Sequence, residues 1–151
     1  KHVFDTLAAV QPRGETQLVR HLHELAERVR QRALVIIISD FFCDVDELIH
    51  CFQHLSFQKH DFAVFHLLDP EELQFEFDRP MRFVDLEDDS VLLAEPEVIR
   101  EQYLAAVNEY LVKLHEGCNK FQADYRRVST DDSYEQVIAD FLEEREMHAK
   151  P

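Results

Sequence analysis

Glycine is nearly missing from this sequence, with Gly14 and Gly117 the two examples in 151 residues. Dinucleotide fingerprints and phosphate-cradling loops need several glycines at fixed spacing, where the backbone must approach the phosphates. Nucleotide binding of those kinds is therefore excluded. A Gly-x-Ser-x-Gly elbow that would present a hydrolase serine is absent as well. Proline is sparse too, at five, and with so little glycine no flexible linker divides the chain. One domain over residues 1–151 is the expectation. Cysteine is scarce and odd in number: Cys43, Cys51 and Cys118, with no Cys-x-x-Cys spacing. That argues against a disulfide framework or a zinc site and for a reducing, cytoplasmic compartment.

Positive charge is also in short supply, 16 Lys and Arg against 31 Asp and Glu, a formal −15. Counterion release from a phosphate backbone needs clustered cations, so no nucleic-acid partner is expected. The basic stretch Arg28, Arg30, Arg32 falls at the end of a predicted helix, where cations favour the macrodipole. The longest apolar run, residues 33–38, falls far short of the roughly 20 needed to span a bilayer. No membrane insertion is expected in this segment.

What is present alternates helix with strand, the pattern of a parallel sheet flanked by helices. A short helix over residues 3–10 precedes Pro12. Residues 15–32 carry Leu18, Leu22, Leu25, Ala26 and Val29 at helical period. Residues 34–38 are continuously β-branched or Leu, the mark of a strand buried on both faces. Asp44 and Glu47 make a capping box for a helix to about residue 57, with Val45, Leu48, Ile49, Phe52 and Leu55 facing inward. A second buried strand spans 62–68. Leu73, Phe75 and Phe77 then alternate with polar residues, and 81–86 and 91–94 surround an acidic turn, together predicting a half-buried antiparallel excursion. Pro96 opens a helix over 97–121, with Val98, Tyr103, Leu104, Val107, Leu111 and Leu114 as its stripe. A third strand covers 125–129. Asp132 and Glu135 are the predicted box of a last helix through Val137, Ile138, Phe141 and Leu142. Parallel strands bring Ser39-Asp40, Leu68-Asp69 and Ser129-Thr130-Asp131 to one carboxyl edge, where ligands of open α/β sheets sit.

Other constellations favour structural roles. His50 and His54 share a helix with Cys51, but no third ligand of suitable spacing accompanies them. His21 and His23 point to different helix faces. His66 lies inside a strand among apolar residues, the place of a satisfied core or sheet-end histidine more than of a base. Cys43 has no partner fixed by sequence to activate it. Asp85, Glu87, Asp88 and Asp89 lack the spacing of a calcium loop, and Glu71 and Glu72 suit a capped turn. Gly117 inside the long helix suggests close helix packing.

The segments Pro12-Arg13-Gly14-Glu15-Thr16-Gln17-Leu18 and Val35-Ile36-Ile37-Ile38-Ser39-Asp40 resemble the second and third parts of a metal-ion-dependent adhesion site. Phe65-His66-Leu67-Leu68-Asp69-Pro70-Glu71-Glu72-Leu73, the hairpin after it and Ala123-Asp124-Tyr125 are similar to the bacterial domain of unknown function fifty-eight family. That family is a von Willebrand factor A-like group, often encoded beside MoxR-type AAA ATPases. The resemblance implies a three-layer, Rossmann-like α/β domain. Its strands would be the fourth to sixth of the family's sheet, so the chain would be amino-terminally truncated. Carried over, Thr16 is a hydroxyl ligand and Asp40 a carboxylate ligand of Mg²⁺. The family's Asp-x-Ser-x-Ser is absent, which leaves the site incomplete, with a metal expected in an intact parent and none in this segment. Asp40 is also followed by Phe41-Phe42, where adhesion-type domains commonly carry glycine.

The function expected is a non-catalytic protein-interaction module, working with a MoxR-type ATPase by family association. The alternative is a metal-assisted hydrolase using Asp40, Asp69 and His66. The strand at 34–38, left as an unprotected apolar edge, predicts a homo-oligomer.

Overall fold

The computed structural model describes residues 2–11, 17–85 and 90–148. In order these form α1 (His2–Ala9), α2 (Leu18–Arg28), β1 (Leu34–Ser39), α3 (Val45–Phe57), β2 (Asp61–Leu68) and α4 (Pro70–Gln74). Then come β3 (Met81–Val84), β4 (Val91–Ala94), α5 (Pro96–Lys120), β5 (Asp124–Ser129) and α6 (Tyr134–His148). The α/β architecture matches the expectation. Strands β1, β2 and β5 make a parallel sheet in the order β1-β2-β5, and β3 and β4 form a separate antiparallel pair.

The period of two along β2 divides the core. Phe62 and Val64 face one way and join Val35, Ile37, Leu48, Phe52, Leu55, Leu114 and Cys118 beneath α2, α3 and α5. Ala63 and Phe65 face the other way and meet Val128 and Phe141 of α6. The second face is the thinner one. Its single helix reaches β2 and β5 but leaves Ile36 48% and Ile38 64% exposed on β1. The expectation that this strand is buried on both faces is therefore corrected: its side chains alternate between core and open surface.

Helix ends follow their local chemistry. The Asp44 carboxylate accepts from the amides of Asp46 and Glu47, satisfying donors that α3 leaves free. On α3, Cys51 joins Leu48, Phe52 and Leu55 in the core, so it does not belong with the histidines on an open face. For α6, Asp132 is not the cap. Its carboxylate accepts from the Ser129 amide, and the Ser133 hydroxyl accepts from Gln136 at the helix start. Ile138 and Leu142 are exposed, and Phe141 alone of that predicted face is buried.

The antiparallel excursion starts later than the alternation of Leu73, Phe75 and Phe77 predicts. Asp69 and Glu72 form a reciprocal capping box with Pro70 in the first turn, so residues 70–74 wind into α4. The turn ends at Phe75, whose φ of 48° is left-handed. Local capping outweighs a two-residue period here. The β3–β4 pair is also more exposed than half-buried, with Leu92 and Leu93 largely open. On α5, Val98 is 71% exposed and leaves the predicted stripe.

Candidate functional site

Parallel pairing places the ends of β1, β2 and β5 on one edge, as expected. Two residues past β1, Phe41 takes a left-handed φ of 56° and is nevertheless buried. For a non-glycine residue that conformation costs about 1–2 kcal/mol. Several contacts hold it. Its amide donates to the Ser39 hydroxyl at 3.0 Å, its carbonyl accepts from the Tyr110 hydroxyl of α5, and its ring meets His66 edge-on at 5.3 Å. Phe41 is thus anchored through both its main chain and its ring. The next residue, Phe42, is 79% exposed.

His66 is the hub of the edge. It is 1% exposed, and Ser39 is its partner across the β1–β2 ladder. Its Nε2 lies 3.0 Å from the main-chain oxygen of Asp40, and its Nδ1 3.0 Å from the Tyr125 hydroxyl. A carbonyl can only accept, so Nε2 must carry the proton. Burial pushes the pKa of His66 down and so favours the neutral ring, opposed in part by the bond to Asp40. Nδ1 then accepts from Tyr125, whose own pKa burial pushes up to about 12. With both nitrogens engaged, His66 has no lone pair to offer a substrate in this state.

Asp69, the other carboxylate of the hydrolase alternative, is equally occupied. It caps α4 through the amide of Glu71 at 2.8 Å and accepts from the Thr130 hydroxyl at 2.9 Å. Cys43 sits beside Asp40 and Asp44, and burial first, then these charges, raise its pKa, which works against a thiolate nucleophile. Burial likewise raises Cys51 to about 11 and Cys118 to about 12.

Over this hub opens a cavity of about 330 Å³. Asp40, Phe42, His66, Tyr103, Val107 and Tyr110 are among its lining residues, so it is largely apolar with acid at its margin. A second cavity of about 420 Å³ adjoins it, and Glu72 and Tyr103 line both. Their size and position fit the general pattern of ligand sites at the carboxyl edge of a sheet.

Thr16 lies outside the described residues, and so do Glu87, Asp88 and Asp89 of the acidic turn. Asp40 is at the carboxyl edge and exposed, where its Oδ1 accepts from the Ser39 hydroxyl at 3.3 Å. A hard divalent cation takes about six oxygen ligands. Among the described residues, no group of three or more His, Cys, Asp or Glu is placed to hold a metal. His54 faces His23 of α2, Nδ1 to Nδ1 at 3.2 Å, a helix-to-helix contact that spacing within either helix did not disclose. Sequence reasoning also missed Phe41, Phe42 and Tyr110. The signal for Tyr110 was its seven-residue spacing from Tyr103, two turns along the same face of α5.

The family described as "protein of unknown function DUF58" matches residues 1–111. The chain belongs to that family. The match includes β1, β2, the loop at Phe41 and α5 as far as Leu111, so the described lining of the first cavity lies wholly within it. It stops before β5, so Ala123-Asp124-Tyr125 lie beyond the matched part. No curated protein and no solved structure shows significant similarity to the chain. Among the described residues, no helix is long and apolar enough to cross a membrane.

Proposed function

We propose that this chain is a non-catalytic protein-interaction module that receives a partner at the carboxyl edge of its parallel sheet. One observation carries the reading: an apolar cavity stands open above a histidine whose two ring nitrogens are already bonded within the protein. Catalysis by general base needs a free, poised nitrogen within reach of a substrate proton. Binding needs instead a rigid apolar surface with an exposed anchor. The loop at Phe41 is pinned by Tyr110 and His66, and it holds Phe42 out toward solvent. Exposed aromatics on a preorganised frame are the residues that dominate interface energetics.

Because DUF58 proteins are a von Willebrand factor A-like group found beside MoxR-type AAA ATPases, that ATPase is the partner we propose. Mg²⁺ coordination by Thr16 and Asp40 belongs to the same proposal only where further oxygens complete the shell. Calorimetry with Mg²⁺, using Thr16→Ala and Asp40→Ala as controls, tests that part.

The interaction itself is tested by titrating the chain with the MoxR-type ATPase from the same genome. Binding should weaken at least about tenfold in Phe42→Asp, the loss typical of a hot-spot residue. Equal binding by wild type and Phe42→Asp overturns the docking site. Ester or phosphoester hydrolysis that His66→Ala abolishes overturns the non-catalytic reading.

A further inference from the structure

The second cavity gathers four aromatic rings, Phe75, Phe77, Phe83 and Tyr103, alongside three carboxylates. Its floor is aromatic. Phe75 stacks on Tyr103 at 4.1 Å between centroids and 26° between planes, and Phe77 meets it edge-on at 5.2 Å and 87°. Phe83 of β3 lies nearly parallel to Phe75 at 6.1 Å and roughly perpendicular to Phe77 at 5.7 Å. The left-handed turn at Phe75 creates this grouping. It ends α4 and carries the chain back so that 75 and 77 reach the β3–β4 pair and α5 together.

The rim is acidic. Asp69, Glu71 and Glu72 line the cavity, and among the described residues no Lys, Arg or His does. Asp69 and Glu72 spend oxygens on the α4 capping box. The exposed Glu71 carboxylate makes no ion pair among the described residues. Arg100 stands outside the lining, held by Glu76 and the carbonyl of Gln74.

Aromatic rings attract cations through their quadrupole, and a carboxylate rim adds direct attraction and hydrogen-bond acceptors. The chain as a whole, at −15, steers cationic surfaces toward itself. We propose that this cavity receives an arginine or lysine side chain of the partner, next to an apolar side chain seated in the first cavity. The proposal rests on the interaction reading above. It refines that reading by naming the chemistry of the bound segment, a short stretch that is basic and apolar. Arginine is the better fit of the two, since a planar guanidinium both stacks on rings and pairs with carboxylates.

The test uses three blocked amino acids as probes, followed by amide chemical shifts of the uniformly ¹⁵N-labelled chain. These are N-acetyl-arginine methylamide, its uncharged citrulline counterpart and N-acetyl-leucine methylamide. The arginine compound should shift signals at residues 71–77 and 83, and citrulline should bind there about fivefold more weakly or worse. Glu71→Gln should weaken the arginine compound about threefold, and Phe77→Ala further, with the leucine compound unchanged at residues 42, 43 and 107. Equal binding of arginine and citrulline overturns the proposal, as do arginine shifts that ignore both substitutions. In either case leucine shifts at the first cavity leave the interaction reading standing. Absence of leucine shifts there counts against that reading itself. Glu71 is exposed, so the Gln variant keeps the test valid where Phe77→Ala fails to fold.

Discussion

The hydroxyl of Tyr110 on α5 donates to the carbonyl of Phe41, the residue held left-handed at the end of β1. A helix thus fixes the conformation of a loop nearly seventy residues earlier, and with it the position of Phe42. Burial and the neighbouring acids push the Tyr110 pKa up, so the donor stays protonated across the working range.

Tyr110→Phe removes that donor and leaves a part-buried carbonyl short of one partner. We expect about 1 kcal/mol of destabilisation, the usual net value of one hydrogen bond. Urea unfolding of the two proteins measures it. No loss of stability would mean that the ring contacts alone hold the loop.

His66 makes stability depend on pH. Its folded pKa lies below the ordinary 6.5, so between the two values the unfolded chain binds a proton that the folded chain refuses. Its contribution is therefore complete above about pH 6.5 and shrinks as the pH falls below that value. The wild-type minus His66→Gln difference in unfolding free energy should decline from pH 7 toward pH 5. A difference that is flat, or that grows on acidification, would refute the assignment of a neutral buried ring.

Gly117 lies where α5 crosses α3. A Cβ built there would come within 2.5 Å of Ile49 Cγ1 and 2.7 Å of Cδ1. Alanine gains about 1 kcal/mol of helix propensity. Overpacking costs about 1–3 kcal/mol, so Gly117→Ala should be destabilising on balance. Adding Ile49→Ala removes both clashing atoms. The pair should then show a favourable coupling of at least about 0.5 kcal/mol in a double-mutant cycle. Additive effects would show that the helices simply part.

The uncovered face and edge of β1 offer Ile36 and Ile38 without a lysine, proline or bulge to discourage pairing. Self-association at micromolar concentration is the expected result by sedimentation, with Ile36→Lys/Ile38→Lys shifting the chain toward monomer. A wild type that stays monomeric throughout would remove this interface.

Much of the architecture was legible because the signals were local. The unbroken run of Val35, Ile36, Ile37 and Ile38 is a strand under any packing, and Asp44 or Asp69 followed by Glu three residues later starts a helix. The Asp69-Pro70 box was legible as a capped turn. The alternating Leu73, Phe75 and Phe77 concealed that the turn continued into a helix, since periodicity counts side chains and does not register a left-handed residue. Cys51 was assigned beside His50 and His54, because a helical face predicts burial only when the neighbouring helices are known.

The sequence by itself determined the order of strands and helices, the parallel sheet and the meeting of Asp40, Asp69 and Thr130 at one edge. Hydrophobic period and capping act over a few residues and need no partner. Tertiary structure decided which face of β1 stayed open, the union of His66 with Tyr125 and Asp40, the left-handed anchor at Phe41 and the gathering of Phe75, Phe77 and Phe83. Each of those depends on groups far apart in the chain, and the balance between strain at one residue and burial of its side chain exists only once they are packed together.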